Sequence, residues 1–335
     1  MILVTGGTGL VGAHLLYNLT KAGHKVRAIY RTKDRILFTK KVFSYYVDAN
    51  DAIFSLINWV KCDLNDIPTL ESVFDEITHV YHCAAFISFD PKDAKKLFKV
   101  NVKGTSNIVN LCVENNIVKL CYVSSIATIG IPVSNNKANE NTAFNDTLAN
   151  VYALSKHNAE MEVWRGSQEG IDTIIVNPGV IIGPGFWNNG SGILFSKIYK
   201  GLQFYPPNGT GFVPVNDVVN AMQKLMDSTI FNENYILVAE NIAFKKAFGI
   251  IATALHKKSP KFLLKKWMLQ LFWRLDWVKS FITRTERVLS KKTANSLYFN
   301  TTYNSEKIQQ QLNFSFSDVS NAVGFCATIF LKENP

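Results

Sequence analysis

Residues 4–12 read Val-Thr-Gly-Gly-Thr-Gly-Leu-Val-Gly, and no other part of the chain restricts the fold so strongly. An apolar run at 2–4 precedes them, a helical pattern at 10–22 follows, and 25–30 again reads as a strand. The spacing satisfies TGxxGxxG and, from Gly7, GxGxxG. Glycines at these positions allow a tight turn and the close approach of a pyrophosphate, while the helix N-terminus supplies unpaired N–H groups. A glycine motif alone is weak, but here strand, loop, helix and strand fall in the required order. The loop therefore predicts a βαβ unit holding a dinucleotide at Gly6, Thr8, Gly9, Leu10, Val11 and Gly12.

The alternation continues. Strands are expected at 58–62, 78–82, 119–124 and 172–176, and helices at 66–76, 91–113 and 148–168, the pattern of a parallel sheet wound with helices. Beyond 177 glycine and proline cluster in NPGVIIGPGFWNNGSG and YPPNGTGFVP, which mark excursions from the sheet. The expected architecture is a doubly wound Rossmann domain of 1–176 and 212–240, with a smaller, mainly helical lobe of 177–211 and 241–335. No apolar run approaches the ~18 residues of a membrane span; 247–255 is core-sized. The chain opens on Met-Ile-Leu-Val without a basic leader, so a cytoplasmic protein is expected. Five scattered cysteines and six scattered histidines predict reduced thiols and no metal.

The second strand ends in Tyr30-Arg31, where the adenosine ribose would lie. A carboxylate there would accept from a 2′-hydroxyl; Arg31, with Lys33 and Arg35 close behind, suits a 2′-phosphate instead. NADP(H) is favoured and NAD(H) is the alternative, in which Arg31 is solvated or stacks on adenine. Asp63, in Cys62-Asp63-Leu64, is a candidate acceptor for the adenine amino group or a cap for the following helix.

Tyr152-Ala153-Leu154-Ser155-Lys156 places phenol and ammonium on one helical face. A cation beside a phenolate lowers a tyrosine pKa from ~10 toward the working range. Val123-Ser124-Ser125 ends the preceding strand, on the edge where open parallel sheets bind ligands.

These motifs, with HCAA at 82–85, NVKGT from Asn101, VSSIATIG from Val123, NPGVIIGPG from Asn177 and VPVNDVVNAM from Val213, resemble extended short-chain dehydrogenases/reductases of the NAD-dependent epimerase/dehydratase superfamily. The chain is most similar to the dihydroflavonol 4-reductase-like and 3β-hydroxysteroid dehydrogenase-like branches. The resemblance implies that Ser125, rather than Ser124, hydrogen-bonds the substrate oxygen, and that Tyr152 is the general acid for carbonyl reduction and the base for oxidation. It implies that Lys156 bridges the nicotinamide ribose hydroxyls and tunes Tyr152, and that Asn101 supports the centre. Leu64, Ala84, Ala85, Pro178 and Val180 would line the cofactor groove, with Pro178 against the nicotinamide. Ser124 reads as a packed strand-end hydroxyl. A homodimer packed through helices is common in the family.

Phe86, Phe89, Phe186, Trp187 and Tyr205 are expected near the substrate, or else pack the lobe; a nucleotide diphosphate would call for arginines instead. The expected reaction is therefore NADPH-dependent reduction of a ketone or aldehyde on a small apolar or aromatic molecule. The alternatives are a sugar-nucleotide epimerase or dehydratase that holds NAD tightly, and a non-catalytic nucleotide-sensing or membrane-docked protein.

The formal charge of +10 is local. Between 241 and 300 there are 13 Lys and Arg against Asp276 and Glu286, a surplus of 11, so the rest sums to 10 − 11 = −1. No nucleic-acid-reading motif accompanies it, and no nucleic-acid partner is expected. Within 257–292, Phe262, Leu263, Trp267, Leu271, Leu275, Val278 and Ile282 recur at helical spacing among basic residues. The favoured reading packs this stripe into the lobe core with the lysines solvated; the alternatives are a peripheral membrane contact or an acidic substrate or carrier. The stretch 301–314 resembles the family's closing helix, which implies that the lobe continues to the end.

Overall fold

The computed structural model describes all residues except 49, 133–136, 284–286, 288–289 and 335, and no side chain at 281 or 296. Its first half alternates β1 (Ile2–Thr5), α1 (Leu10–Lys21), β2 (Val26–Tyr30), α2 (Asp34–Phe43), α3 (Asp51–Phe54), β3 (Ile57–Lys61), α4 (Ile67–Val73) and β4 (His79–His82). There follow α5 (Ala94–Leu97), α6 (Gly104–Glu114), β5 (Lys119–Val123), α7 (Val151–Gln168) and β6 (Asp172–Pro178). The single helix expected at 91–113 is interrupted: a 3₁₀ turn at Pro91–Asp93 leads into α5, and a π-turn at Phe98–Lys103 separates α5 from α6. Such a wide turn re-aims side chains, and Asn101 lies in it.

The second half adds β7 (Val180–Ile182), α8 (Ile193–Tyr199), β8 (Phe204–Tyr205), β9 (Gly209–Pro214), α9 (Val215–Asp227), β10 (Glu233–Leu237), β11 (Glu240–Ala243) and α10 (Phe244–Ala254). Then come β12 (Phe262–Leu263), α11 (Lys266–Thr283), α12 (Lys291–Ser296), α13 (Glu306–Leu312) and α14 (Val319–Glu333).

The seven-stranded sheet has the order β10-β6-β5-β4-β1-β2-β3, and its pairings are parallel. Helices on both faces bury the strands, hence runs such as Ile174, Ile175 and Val176 with no polar alternation. One core, around Leu15, Leu16, Val218 and Met222, fills the side of α1 and α9; the other, around Leu70, Ile108, Val109 and Val163, fills the side of α6 and α7. A third core joins α8, α10 and α14 over a small sheet of order β11-β9-β7.

Two expectations change here. Ile308 and Phe314 pack into the main core and α13 lies on β10, so the chain returns to the sheet before entering the lobe again through α14. The stripe at 262–282 faces outward instead of forming core: Trp267 is 64% exposed and Ile282 72%. The helix has apolar groups on both sides, and Leu269 and Phe272 are the ones turned inward, so periodicity alone could not choose the face. The described part of this stretch leaves out 284–286 and 288–289.

Candidate active site

The sheet order reverses between β1 and β4, and ligands of open parallel sheets bind beyond the strand ends at such a point. The glycine loop leaves β1 there. Gly6 has φ +69°, and a Cβ on it would lie 2.6 Å from the Ala84 nitrogen. A Cβ on Gly12 would lie 2.2 Å from the Gly6 carbonyl oxygen, so the first turn of α1 sits directly on the loop. Gly9 caps α1 without a side-chain hydrogen bond, and the first turn holds no acidic residue. An open helix N-terminus over a loop too tight for side chains fits the pyrophosphate of a dinucleotide. Thr8, Leu10 and Val11 are half-buried along this edge.

Arg31 is exposed just beyond β2. Asp63 is exposed too, and its Oδ1 accepts from the Asn65 backbone N–H at 2.9 Å, closing an Asx turn, while Leu64 is buried behind it. The Ala84 N–H donates to Thr5 Oγ1 at 3.3 Å, and Ala85 is exposed. Pro178 is buried at the end of β6, and half-buried Val180 begins β7.

Asn150 Oδ1 caps α7 by accepting from the Ala153 N–H at 2.9 Å, which fixes Tyr152 in the first turn. Tyr152 and Ser125 share the wall of one cavity, and Ser125 Oγ accepts from the Ala127 N–H at 3.1 Å. Burial pushes the Tyr152 phenol up to about 12, against the opposing pull of Ser125. Phe89 lies edge-on to the Tyr152 ring at 5.4 Å.

Lys156 is 1% exposed, and its Nζ donates to Tyr122 Oη at 2.6 Å and to the Val123 carbonyl at 2.7 Å. Its pKa is lowered to about 7 because burial penalises the ammonium more than Glu160 and Cys83 favour it. In this structure the Lys156 amino group is thus anchored on Tyr122 and on the Val123 carbonyl.

Asn101 binds both sides of the groove. Its Oδ1 accepts from the Phe86 N–H at 2.7 Å, and its Nδ2 donates to the Phe86 carbonyl at 3.0 Å and to Ser155 Oγ at 2.9 Å. Ser124 turns away and donates to Glu160 Oε2 at 2.6 Å; Thr128 and Asn177 donate to the same oxygen.

Four supporting groups escaped sequence reading: Glu160, Tyr122, Thr105 and His82. Glu160 had a local signal, since 152, 156 and 160 share one face of α7. The others are brought together by the sheet. His82 is fully buried and neutral, its pKa lowered to about 3 by burial and by Lys156. Its ring nitrogens meet Thr5 Oγ1 at 2.6 Å and Thr105 Oγ1 at 2.9 Å. Tyr122 stacks on it with ring centroids 5.5 Å apart and accepts from Lys156, so buried polar groups run from Lys156 to Thr5 at the start of the glycine loop.

A cavity of about 330 Å³ opens beside Ser125 and Tyr152, lined by Phe89, Phe144, Phe244, Leu297, Phe299 and Tyr303 among others. None of its described lining residues is charged. The aromatic set expected from sequence lies mostly elsewhere. Phe186 packs with Ala13 and Val42, Trp187 packs between Phe195 and Phe330 and donates to Glu333, and Tyr205 lies against the lobe core. Phe86 is half-buried under Lys96, whose Nζ is 4.1 Å from the ring centre. Of that set only Phe89 reaches the cavity, because the loop after Pro178 turns its aromatics into the lobe core rather than toward Tyr152.

Residues 2–237 match the NAD dependent epimerase/dehydratase family. The chain belongs to that family. It is an enzyme of the extended short-chain dehydrogenase/reductase type, with an NAD(P)-binding Rossmann fold. It is 30% identical over 335 residues to the "Putative dihydroflavonol 4-reductase" of Synechocystis sp., covering 96% of this chain and 91% of the relative. It is 28% identical over 243 residues to sterol demethylase protein B of Methylococcus capsulatus, covering 71% and 70%. The fold matches UDP-glucose 4-epimerase of Thermotoga maritima with a TM-score of 0.77 at 15% identity, over 100% of this chain and 99% of that one.

Proposed function

We propose that this enzyme is an NADP(H)-dependent reductase that converts a ketone or aldehyde of a small apolar or aromatic molecule to the alcohol. The observation that carries the reading is that Ser125 and Tyr152 share the wall of a mainly apolar cavity with no charged residue among its described lining. A substrate with a diphosphate would leave its charges unpaired there, which weighs against a sugar nucleotide. The reductase name of the Synechocystis relative and the sterol named for the Methylococcus relative agree with this reading.

When bound, the nicotinamide cofactor supplies hydride. The loop from Gly6 to Gly12 and the α1 N-terminus would hold its pyrophosphate, and exposed Arg31 would meet a 2′-phosphate. Ser125 Oγ hydrogen-bonds the substrate carbonyl oxygen and aligns it with Tyr152. A phenol held at about 12 keeps its proton at neutral pH, so Tyr152 donates it as oxyanion charge develops. Asn101 fixes the Phe86 loop to α7 and thereby keeps the cavity wall in register with Tyr152. Lys156, braced by Tyr122, places an amino group behind this centre that carries its charge below about pH 7.

NADPH oxidation followed against a panel of aromatic and alicyclic aldehydes and ketones tests the proposal. Wild type turns over at least one of them, and Tyr152→Phe lowers kcat roughly 10²–10⁴-fold while NADPH binding persists. Near-normal turnover by that variant would sink the assignment.

A further inference from the structure

The helix Lys266–Thr283 is apolar on two opposite sides, and among the described residues only one of them is covered. Leu269 and Ser280 point inward, and Phe272 lies edge-on to Phe204 at 6.2 Å. On the other side Trp267, Leu271, Leu275, Val278 and Ile282 are 64%, 44%, 53%, 43% and 72% exposed. At ~100° per residue these five fall within an arc of about 80°. Phe262 and Leu263, 56% and 44% exposed, extend the patch along the chain. A single exposed leucine needs no explanation, but a continuous stripe of large apolar groups marks a contact surface.

The charge around the stripe states which surface it fits. Residues 257–279 hold seven Lys and Arg, all exposed, and one acid, Asp276. Asp276 is turned toward Arg287, 4.0 Å from it, with a side chain only 18% exposed. Arg274 and Lys279 border the apolar arc on either side. An outer face of tryptophan, leucine and isoleucine edged by cations is complementary to anionic headgroups above acyl chains. A second copy of the chain would oppose the same cations to one another. Among the described residues no helix is long and apolar enough to cross a membrane.

We propose that this face docks the enzyme on an anionic lipid surface, with the helix lying in the plane of the interface. Its attachments set the cavity beside that surface. Gln270 donates to Asn295 at 3.1 Å, Lys92 Nζ to Ser280 at 2.8 Å, and Lys292 Nζ to the Ala149 carbonyl at 2.9 Å. Phe89, Ala149, Leu297 and Phe299, which adjoin these contacts, line the cavity. Docking would thus hold the cavity next to the lipid phase, from which an apolar substrate partitions. This delivery step rests on the reductase reading, whereas docking itself does not.

The test is co-sedimentation of the whole protein with vesicles of phosphatidylcholine alone or mixed with phosphatidylglycerol, at low and high salt. Wild type pellets with the mixed vesicles at low salt, and salt weakens the binding. Leu275→Glu/Ile282→Glu and Lys265→Glu/Lys279→Glu each reduce partitioning roughly tenfold or more. An NADPH titration that both variants pass unchanged shows that the fold is kept and separates loss of docking from failure of the cofactor site. Absence of binding to the mixed vesicles, or variants that bind as well as wild type, would overturn the proposal. So would a concentration-dependent dimer, abolished by Leu275→Glu/Ile282→Glu, in a protein that ignores vesicles.

Discussion

The glycine loop and the basic helix at 266–283 are both built from a short sequence period, yet they solve opposite problems. Beneath the loop the packing is tight: Gly6 and Gly12 lie against backbone, and Leu16 and Val4 are wholly buried. Along the helix the strongest apolar residues point to solvent, ringed by lysines. Apolar residues at helical spacing therefore mean core only when something in the fold covers them. The difference divides the molecule into a part whose packing sets stability and a part whose surface sets partners.

Deleting side-chain volume on the two sides gives the largest contrast. Leu16→Ala should cost about 2–5 kcal/mol, since it opens a cavity in the core under the loop. Leu275→Ala should stay within about 0.5 kcal/mol, since the side chain is already 53% exposed. Denaturant unfolding measures both, and a loss at Leu275 matching that at Leu16 would mean the helix face is core after all.

A smaller effect separates the buried centre from the surface by pH. The Lys156 pKa is about 7 in the folded chain and about 10.5 in an unfolded one. Below pH 7 both states hold the proton, and the cost of burying the ammonium is fully present. Between about pH 7 and 10.5 the unfolded chain binds the extra proton, so this residue makes stability rise with pH. Wild-type stability minus that of Lys156→Met should therefore climb across that window. Parallel curves would show that the ammonium is not desolvated.

Much of this was readable in the sequence because it is local. The glycine spacing, Tyr152 and Lys156 one turn apart, and the strand ending at Ser125 each lie within a few residues, and the structure brings all of them to one edge of the sheet. The supports were not readable. Tyr122 meets Lys156 only because α7 packs on the sheet, and His82 meets Thr5 only because β4 pairs with β1, both across tens of residues. The cavity wall combines Phe89, Phe144, Phe244 and Phe299 from four separate stretches, whereas the aromatics nearest in sequence to NPGVIIGPG serve the lobe core. The burial of 306–314 against β10 is of the same kind: one amphipathic turn suits either core, and only the tertiary path selects.

The proposed reductase would use an exchangeable NADPH whose 2′-phosphate meets Arg31 beyond the end of β2. Fluorescence titration of wild type and Arg31→Ala with NADPH and NADH tests it most directly. Wild type should bind NADPH more tightly than NADH, and Arg31→Ala should bind NADPH roughly tenfold more weakly with little change for NADH. Equal affinities of wild type for the two cofactors, or NAD that co-purifies with the protein, would contradict it.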